Sequence, residues 1–210
     1  MKTWQSLSRR MLAILLSAAM LALAAANTAQ AADDFWAHQI GVQVNVAYGE
    51  DPAQVFDLYL HGQRTGEPDY FAMDSDPRPT LIWIHGGGWI AGDKAAEIPQ
   101  LIPYLERGWN VVNVNYRQGP ASAPEAVDDV LCAYQRVIEI GEATGMPTDQ
   151  IVVSGASAGG HLALLVGMLN TRGEHPCRTA SPPMAVVNWF GITDIEAVQE
   201  FLSETLPNGN

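Results

Sequence analysis

Positive charge is scarce in this 210-residue chain: 11 lysines and arginines stand against 23 aspartates and glutamates. Three of the 11, Lys2, Arg9 and Arg10, come before the first acid, so the rest of the chain is more acidic still. Such a surface repels phosphate backbones and anionic lipid, which speaks against nucleic acid as a partner. Cysteine is nearly absent. Cys132 and Cys177 lie far apart and no two histidines have ligand spacing, so no metal centre is expected. Internal repeats and low-complexity linkers are lacking too. Charged residues make up only 16% against 48% hydrophobic ones, which excludes a disordered tail and supplies a packed core.

Long apolar runs are limited to one. Met11 to Ala26 is uncharged for 16 residues, short of the ~20 needed to span a bilayer. Lys2, Arg9 and Arg10 precede it. Small and polar residues from Asn27 to Ala32 follow, with Ala29-Gln30-Ala31 as an A-x-A cleavage pattern. This is the layout of a secretory signal peptide over residues 1–31, with one domain over 32–210. The expectation is an exported protein, periplasmic or secreted, with no stable membrane anchor after cleavage. In an oxidising compartment Cys132 and Cys177 become a disulfide candidate, worth about 4 kcal/mol in the chain-entropy model.

Strand and helix patterns alternate after residue 40. Gly41 to Tyr48 alternates Val42, Val44, Val46 and Tyr48, the pattern of a half-buried strand, and Val55 to His61 is a second. A turn region rich in Gly, Pro and Asp follows from Gly62 to Pro79. Thr80 to His85, Trp109 to Tyr116, Ile151 to Val153 and Ala185 to Phe190 read as further strands. Helical spacing marks Ala95 to Arg107, Pro124 to Thr144, Ala158 to Asn170 and Ile195 to Leu206. Pro103 inside the first of these predicts a kink or a later start. The alternation predicts an α/β fold, a mostly parallel sheet with helices on both faces, and an antiparallel pair at its first edge.

Two motifs carry chemistry. Gly155-Ala156-Ser157-Ala158-Gly159 is a G-x-S-x-G between a predicted strand and a predicted helix. A nucleophile on so tight a turn needs neighbours without side chains, hence Gly155 and Gly159. A dinucleotide fingerprint would need glycine where Ser157 stands, and no Lys-Ser/Thr follows to make a phosphate loop. His85-Gly86-Gly87-Gly88-Trp89 follows a strand directly. Three successive glycines cost backbone entropy. Acyl transfer gives a reason for them, because a tetrahedral oxyanion needs backbone N–H donors with nothing in the way. The donors expected are the amides of Gly87, Gly88 and Ala158.

HGGGW, Gly92-Asp93, NVNYR (Asn113 to Arg117) and GASAGGH (Gly155 to His161) together resemble the α/β-hydrolase superfamily, over roughly residues 40 to 200. Within it they resemble the hormone-sensitive-lipase-like esterases and the bifunctional feruloyl and acetyl-xylan esterase group. The resemblance implies ester hydrolysis through an acyl-enzyme on Ser157, with acetyl or feruloyl esters of carbohydrate, or other small esters, as substrates. It implies structural support of the glycine segment by His85 and Gly86, and no cofactor. The same motifs serve amide hydrolysis, and a scaffold stripped of its triad could serve as a binding protein.

A general base is what the sequence lacks. In this fold the triad order is Ser, then Asp or Glu, then His. After Ser157 only His161 and His175 remain. His161 sits four residues into the same helix and reads as helix packing; His175 belongs to a loop at the helix's far end. Asp194 reads as loop structure, and Glu196, Glu200 and Glu204 as a solvated helix face. The expectation is a chain without its last two strands, without triad acid and base, and therefore nearly inactive by itself.

Overall fold

The computed structural model describes residues 39–64, 71–73, 77–172, 174–198 and 200. The expected signal segment 1–31 and the end of the expected last helix, Glu204 included, lie outside them. The strands are β1 (Gln39–Ala47), β2 (Val55–Arg64), β3 (Phe71–Met73), β4 (Thr80–Ile84), β5 (Asn110–Val114), β6 (Ile151–Ala156) and β7 (Ala185–Trp189). The helices are α1 (Ile98–Leu105), α2 (Ala123–Thr144) and α3 (Ala158–Leu169). Positions 195–198 are helical as well. Among the described residues no helix is long and apolar enough to cross a membrane.

The sheet runs β1-β2-β5-β4-β6-β7, with β3 paired to β2 off this path. Strands β5, β4, β6 and β7 are parallel to one another; β2 is antiparallel to both β1 and β5. Every residue of β4 and β5 is buried, as apolar, β-branched runs covered on both faces should be. On one face α2 and α3 cover the larger core, which includes Phe56, Ile82, Val112, Tyr134, Val153 and Leu162. On the other, α1 covers Leu81, Trp83, Val111 and Val152 through Leu101.

Two expectations change, and a third, open between a kink and a later start, resolves to the later start. The turn region from Gly62 to Pro79 holds β3, because Phe71–Met73 pairs back onto the end of β2. The alternation of β1 does not mean half-burial. The register shifts between Gln43 and Val46, and Asn45 takes a positive φ of 55°. This bulge leaves Val46 opposite Phe56 but turns Val42 and Val44 outward, 52% and 65% exposed. The helix expected over Ala95 to Arg107 starts later. A 3-10 turn at Lys94–Glu97 comes first, capped by Asp93, whose side chain accepts the N–H of Ala95 at 2.7 Å. Regular α-helix begins at Ile98, keeps Pro103 inside and gives way to Gly108, at φ 79°.

Candidate active site

Strand β6 ends at Ala156 and α3 starts at Ala158, so Ser157 forms the entire connection. Its backbone sits at φ 55° and ψ −122°, a conformation that costs a non-glycine residue 1–3 kcal/mol and persists only where its surroundings hold it. They do so from three sides. The Ser157 N–H donates to the Trp189 carbonyl of β7 at 3.0 Å, and its carbonyl accepts the His161 N–H at 3.1 Å. Gly86 packs so close that a Cβ there would stand 3.3 Å from the Ser157 Cβ. Gly155 and Gly159 are obligatory for the reason the motif suggests. A side chain on Gly159 would strike the Ile84 carbonyl oxygen, and one on Gly155 would stand 2.6 Å from that same oxygen. Ser157 itself is half-buried, open enough to meet a ligand.

The glycine segment faces this elbow from the end of β4. Gly87 has φ 120°, and a Cβ there would strike the Ala91 carbonyl oxygen; Gly88 has φ 62°. The Gly87 carbonyl accepts from Ile90 and Ala91, at 3.2 and 3.1 Å, which folds the segment into a tight turn. Among the described residues the amides of Gly87, Gly88 and Ala158 have no hydrogen-bond acceptor. Ala158 is the first residue of α3, where an N–H has no partner in its own helix. These three unspent donors belong to the glycine turn and to the residue after the strained serine.

His85 props this turn from below. It is fully buried and stacked on Tyr116, with centroids 4.4 Å apart. Its Nδ1–H donates to the Gly86 carbonyl at 2.6 Å, and Nε2 accepts from Gln118 Nε2 at 3.2 Å. Burial pushes its pKa below the ordinary 6.5, so the ring stays neutral in the tautomer these bonds require. The Gln118 amide also donates to the Gly92 carbonyl at 3.0 Å, closing both ends of the glycine loop on one side chain. Sequence reading missed Gln118. It follows the NVNYR strand with no spacing signal, and its role depends on a contact 33 residues away.

Most of the remaining polar candidates are bonded elsewhere. The His161 and Trp89 rings meet at right angles, centroids 5.3 Å apart; burial lowers the His161 pKa, and its Nδ1 has no hydrogen-bond partner among the described residues. His175 Nε2 pairs with Asp128 at 3.1 Å. His61 bonds the Leu105 carbonyl at 3.0 Å. Asp194 accepts the N–H of Ala197 at 2.9 Å and so caps the turn at 195–198. Glu196 and Glu200 are exposed. Among the described residues no histidine ring makes a hydrogen bond with the Ser157 hydroxyl. Cys132 and Cys177 are joined in a disulfide that ties α2 to the loop after α3. An apolar groove of about 850 Å³ runs from Gly86 and Gly87 along α1, past Trp83, Tyr104, Trp189 and Phe190.

A mixed sheet in this strand order, with a serine elbow after its fifth path strand and a glycine turn after its fourth, is an α/β-hydrolase. The chain belongs to the BD-FAE family, whose model matches residues 70–208. It is similar to esterase LipC of Mycobacterium tuberculosis, 31% identical over 157 residues, covering 72% of this chain and 37% of LipC. Among solved structures it is similar to esterase B of Lactobacillus rhamnosis in its tributyrin-phosphonate form, at 26% identity and TM-score 0.55, over 80% of this chain and 56% of that one. It is similar also to a bifunctional GH43-CE protein of Bacteroides eggerthii, at 27% identity and TM-score 0.59, over 76% and 24% of the two chains. The chain thus spans less than two thirds of the length of each of these three relatives.

Proposed function

We propose that this chain carries the nucleophile and oxyanion hole of a serine carboxylesterase. One observation supports this above all: Ser157 is held in a strained elbow beside amides that have no other acceptor. Ser157 Oγ attacks the ester carbonyl, and the oxygen that becomes negative lies against the N–H groups of Gly87, Gly88 and Ala158. Each such donor is worth about 3 kcal/mol of barrier. The alcohol leaves, an acyl group stays on Ser157, and water releases it as the acid. We place the proton acceptor and its carboxylate partner outside the described residues: His61, His85 and His175 have ring nitrogens engaged, and His161, though its Nδ1 is unpaired, packs within its own helix against Trp89 and makes no bond to the Ser157 hydroxyl.

Acetyl or feruloyl esters of carbohydrate are the substrate class we favour. The family assignment, the Bacteroides relative with its paired GH43 and CE activities, and an acidic surface suited to neutral polymers support it. Export is the location we favour, supported by the leader pattern at residues 1–31 and by the Cys132–Cys177 disulfide. The test is covalent labelling of the full-length protein with a fluorophosphonate. An adduct on the Ser157 peptide, abolished by Ser157→Ala, is expected, together with release of acetate or ferulate from decorated xylan. Absence of labelling in the full-length protein would favour a non-catalytic binding role.

A further inference from the structure

We propose that the Cys132–Cys177 disulfide is one of two states of its corner, and that when reduced this corner binds Zn²⁺ through Cys132, Cys177 and His175. Their separation in sequence speaks against a metal centre, but the fold removes that objection. One ligand atom from each of the three lies within 4.8 Å of the others, and all three residues are half-buried. The histidine is already in the right tautomer. Its Nδ1 accepts the backbone N–H of Cys177 at 3.1 Å, so the ring proton is on Nε2, where it donates to Asp128 at 3.1 Å. A carboxylate that holds the far ring nitrogen is the usual partner of a metal-binding imidazole. Asp128 and Cys132 stand four apart on one face of α2, and His175 and Cys177 two apart on the facing loop, so the helix supplies one ligand and the carboxylate behind the histidine while the loop supplies the other two, three protein ligands with a fourth position open.

The disulfide is not the sole tie between this loop and its neighbours. The Thr179 N–H donates to the Asn170 carbonyl at 2.9 Å, and the Ser181 carbonyl accepts from both Tyr134 Oη and Asn170 Nδ2 at 3.0 Å. Reduction by a dithiol converts the disulfide into two thiols and the dithiol into its own disulfide. Zn²⁺ then replaces the two thiol protons, which pass to solvent, and forms two bonds to sulfur and one to Nδ1. Nδ1 gives up the Cys177 N–H, and water fills the fourth position. Oxidation of the thiols reverses the sequence and releases the ion.

The experiment uses Co²⁺ as a spectroscopic probe on the full chain, oxidised and after reduction with a phosphine. The reduced protein is expected to take up one Co²⁺ per chain, with sulfur-to-cobalt charge-transfer and tetrahedral d–d bands that Zn²⁺ abolishes; the oxidised protein should show none. Asp128→Asn should weaken binding about 10-fold, and His175→Ala more than that. Equal affinity in His175→Ala, or no bands in the reduced protein, overturns the proposal. If reduction unfolds the chain, added Zn²⁺ must restore its circular dichroism, and failure to do so overturns it equally.

Discussion

At the scale of single residues, two glycines with different constraints separate sterics from backbone conformation. A Cβ on Gly159 would strike the Ile84 carbonyl oxygen and stand 2.5 Å from that of His85, both main-chain atoms of the strand end that carries the glycine turn. Neither can yield without opening the elbow. Gly145, at the end of α2, has φ 81° and open space around the place a Cβ would take. Gly145→Ala should therefore cost only the left-handed strain, about 1 kcal/mol. Gly159→Ala should cost about 3 kcal/mol or more and abolish labelling of Ser157. Equal shifts in the urea midpoints of the two variants would refute this reading. The buried histidines predict a pH dependence of known sign. His85 and His161 have folded pKa values below 6.5 because burial disfavours the charged ring. The unfolded chain thus takes up protons first as pH falls through 6.5, and stability declines from there down to the folded values. Asp93, whose carboxylate is favoured by the Ala95 N–H and by Asn115, acts below 3.8 and leaves this window untouched. Urea midpoints at pH 7.5 and pH 5 should show the decline, and His161→Asn should lessen it.

Among the elements, a buried ion pair fixes where the glycine turn sits. Lys94 Nζ lies 2.8 Å from Asp57 Oδ1, with the two side chains 10% and 8% exposed. The same oxygen accepts the Asn45 N–H at 2.9 Å, which anchors the β1 bulge. Removing one partner leaves the other buried and unpaired, so Asp57→Ala should cost about 3–5 kcal/mol, while Asp57→Leu with Lys94→Met should recover most of that. Urea denaturation of the three proteins checks the ordering, and an equally damaged double variant would count against it. Loss of the disulfide in Cys132→Ser should cost about 4 kcal/mol, since it closes a separation of 45 residues; an unchanged urea midpoint in that variant would show that the loop is held without it. Local signals made much of this architecture readable. The apolar runs of β4 and β5 and the apolar face of α2 are properties of contiguous residues, and so are the elbow and the triple glycine. The β1 bulge, the pairing of β3, the Gln118 clamp and the meeting of His175 with two cysteines are set by partners distant in sequence. Composition and spacing carry no trace of such partners.

For the molecule as a whole, the asymmetry of its two faces has a consequence in solution. Helices α2 and α3 cover one face of the sheet, but among the described residues the core on the other is the smaller one, where α1 packs on β4, β5 and β6. Among the described residues strand β7 is paired on one side only, with β6, and Val187, Trp189 and Phe190 are 39%, 48% and 79% exposed. An unpaired strand edge next to an apolar groove is a template for association between copies. Opposing it is a formal net charge of −12, whose repulsion is long-ranged only in dilute salt. The two effects therefore differ in salt dependence. At low ionic strength, repulsion should keep the 210-residue chain dispersed; at high ionic strength, the edge should prevail. Sedimentation velocity across a salt series should show the mean sedimentation coefficient rising with salt and with protein concentration. Val187→Lys puts a charge on β7 beside the groove without touching the Ser157–Trp189 hydrogen bond, which is made by main-chain atoms. It should suppress that rise and reduce the binding of a hydrophobic dye. A sedimentation coefficient that stays monomeric at all salt concentrations in the unaltered chain would show that this edge is protected by something the described residues do not contain.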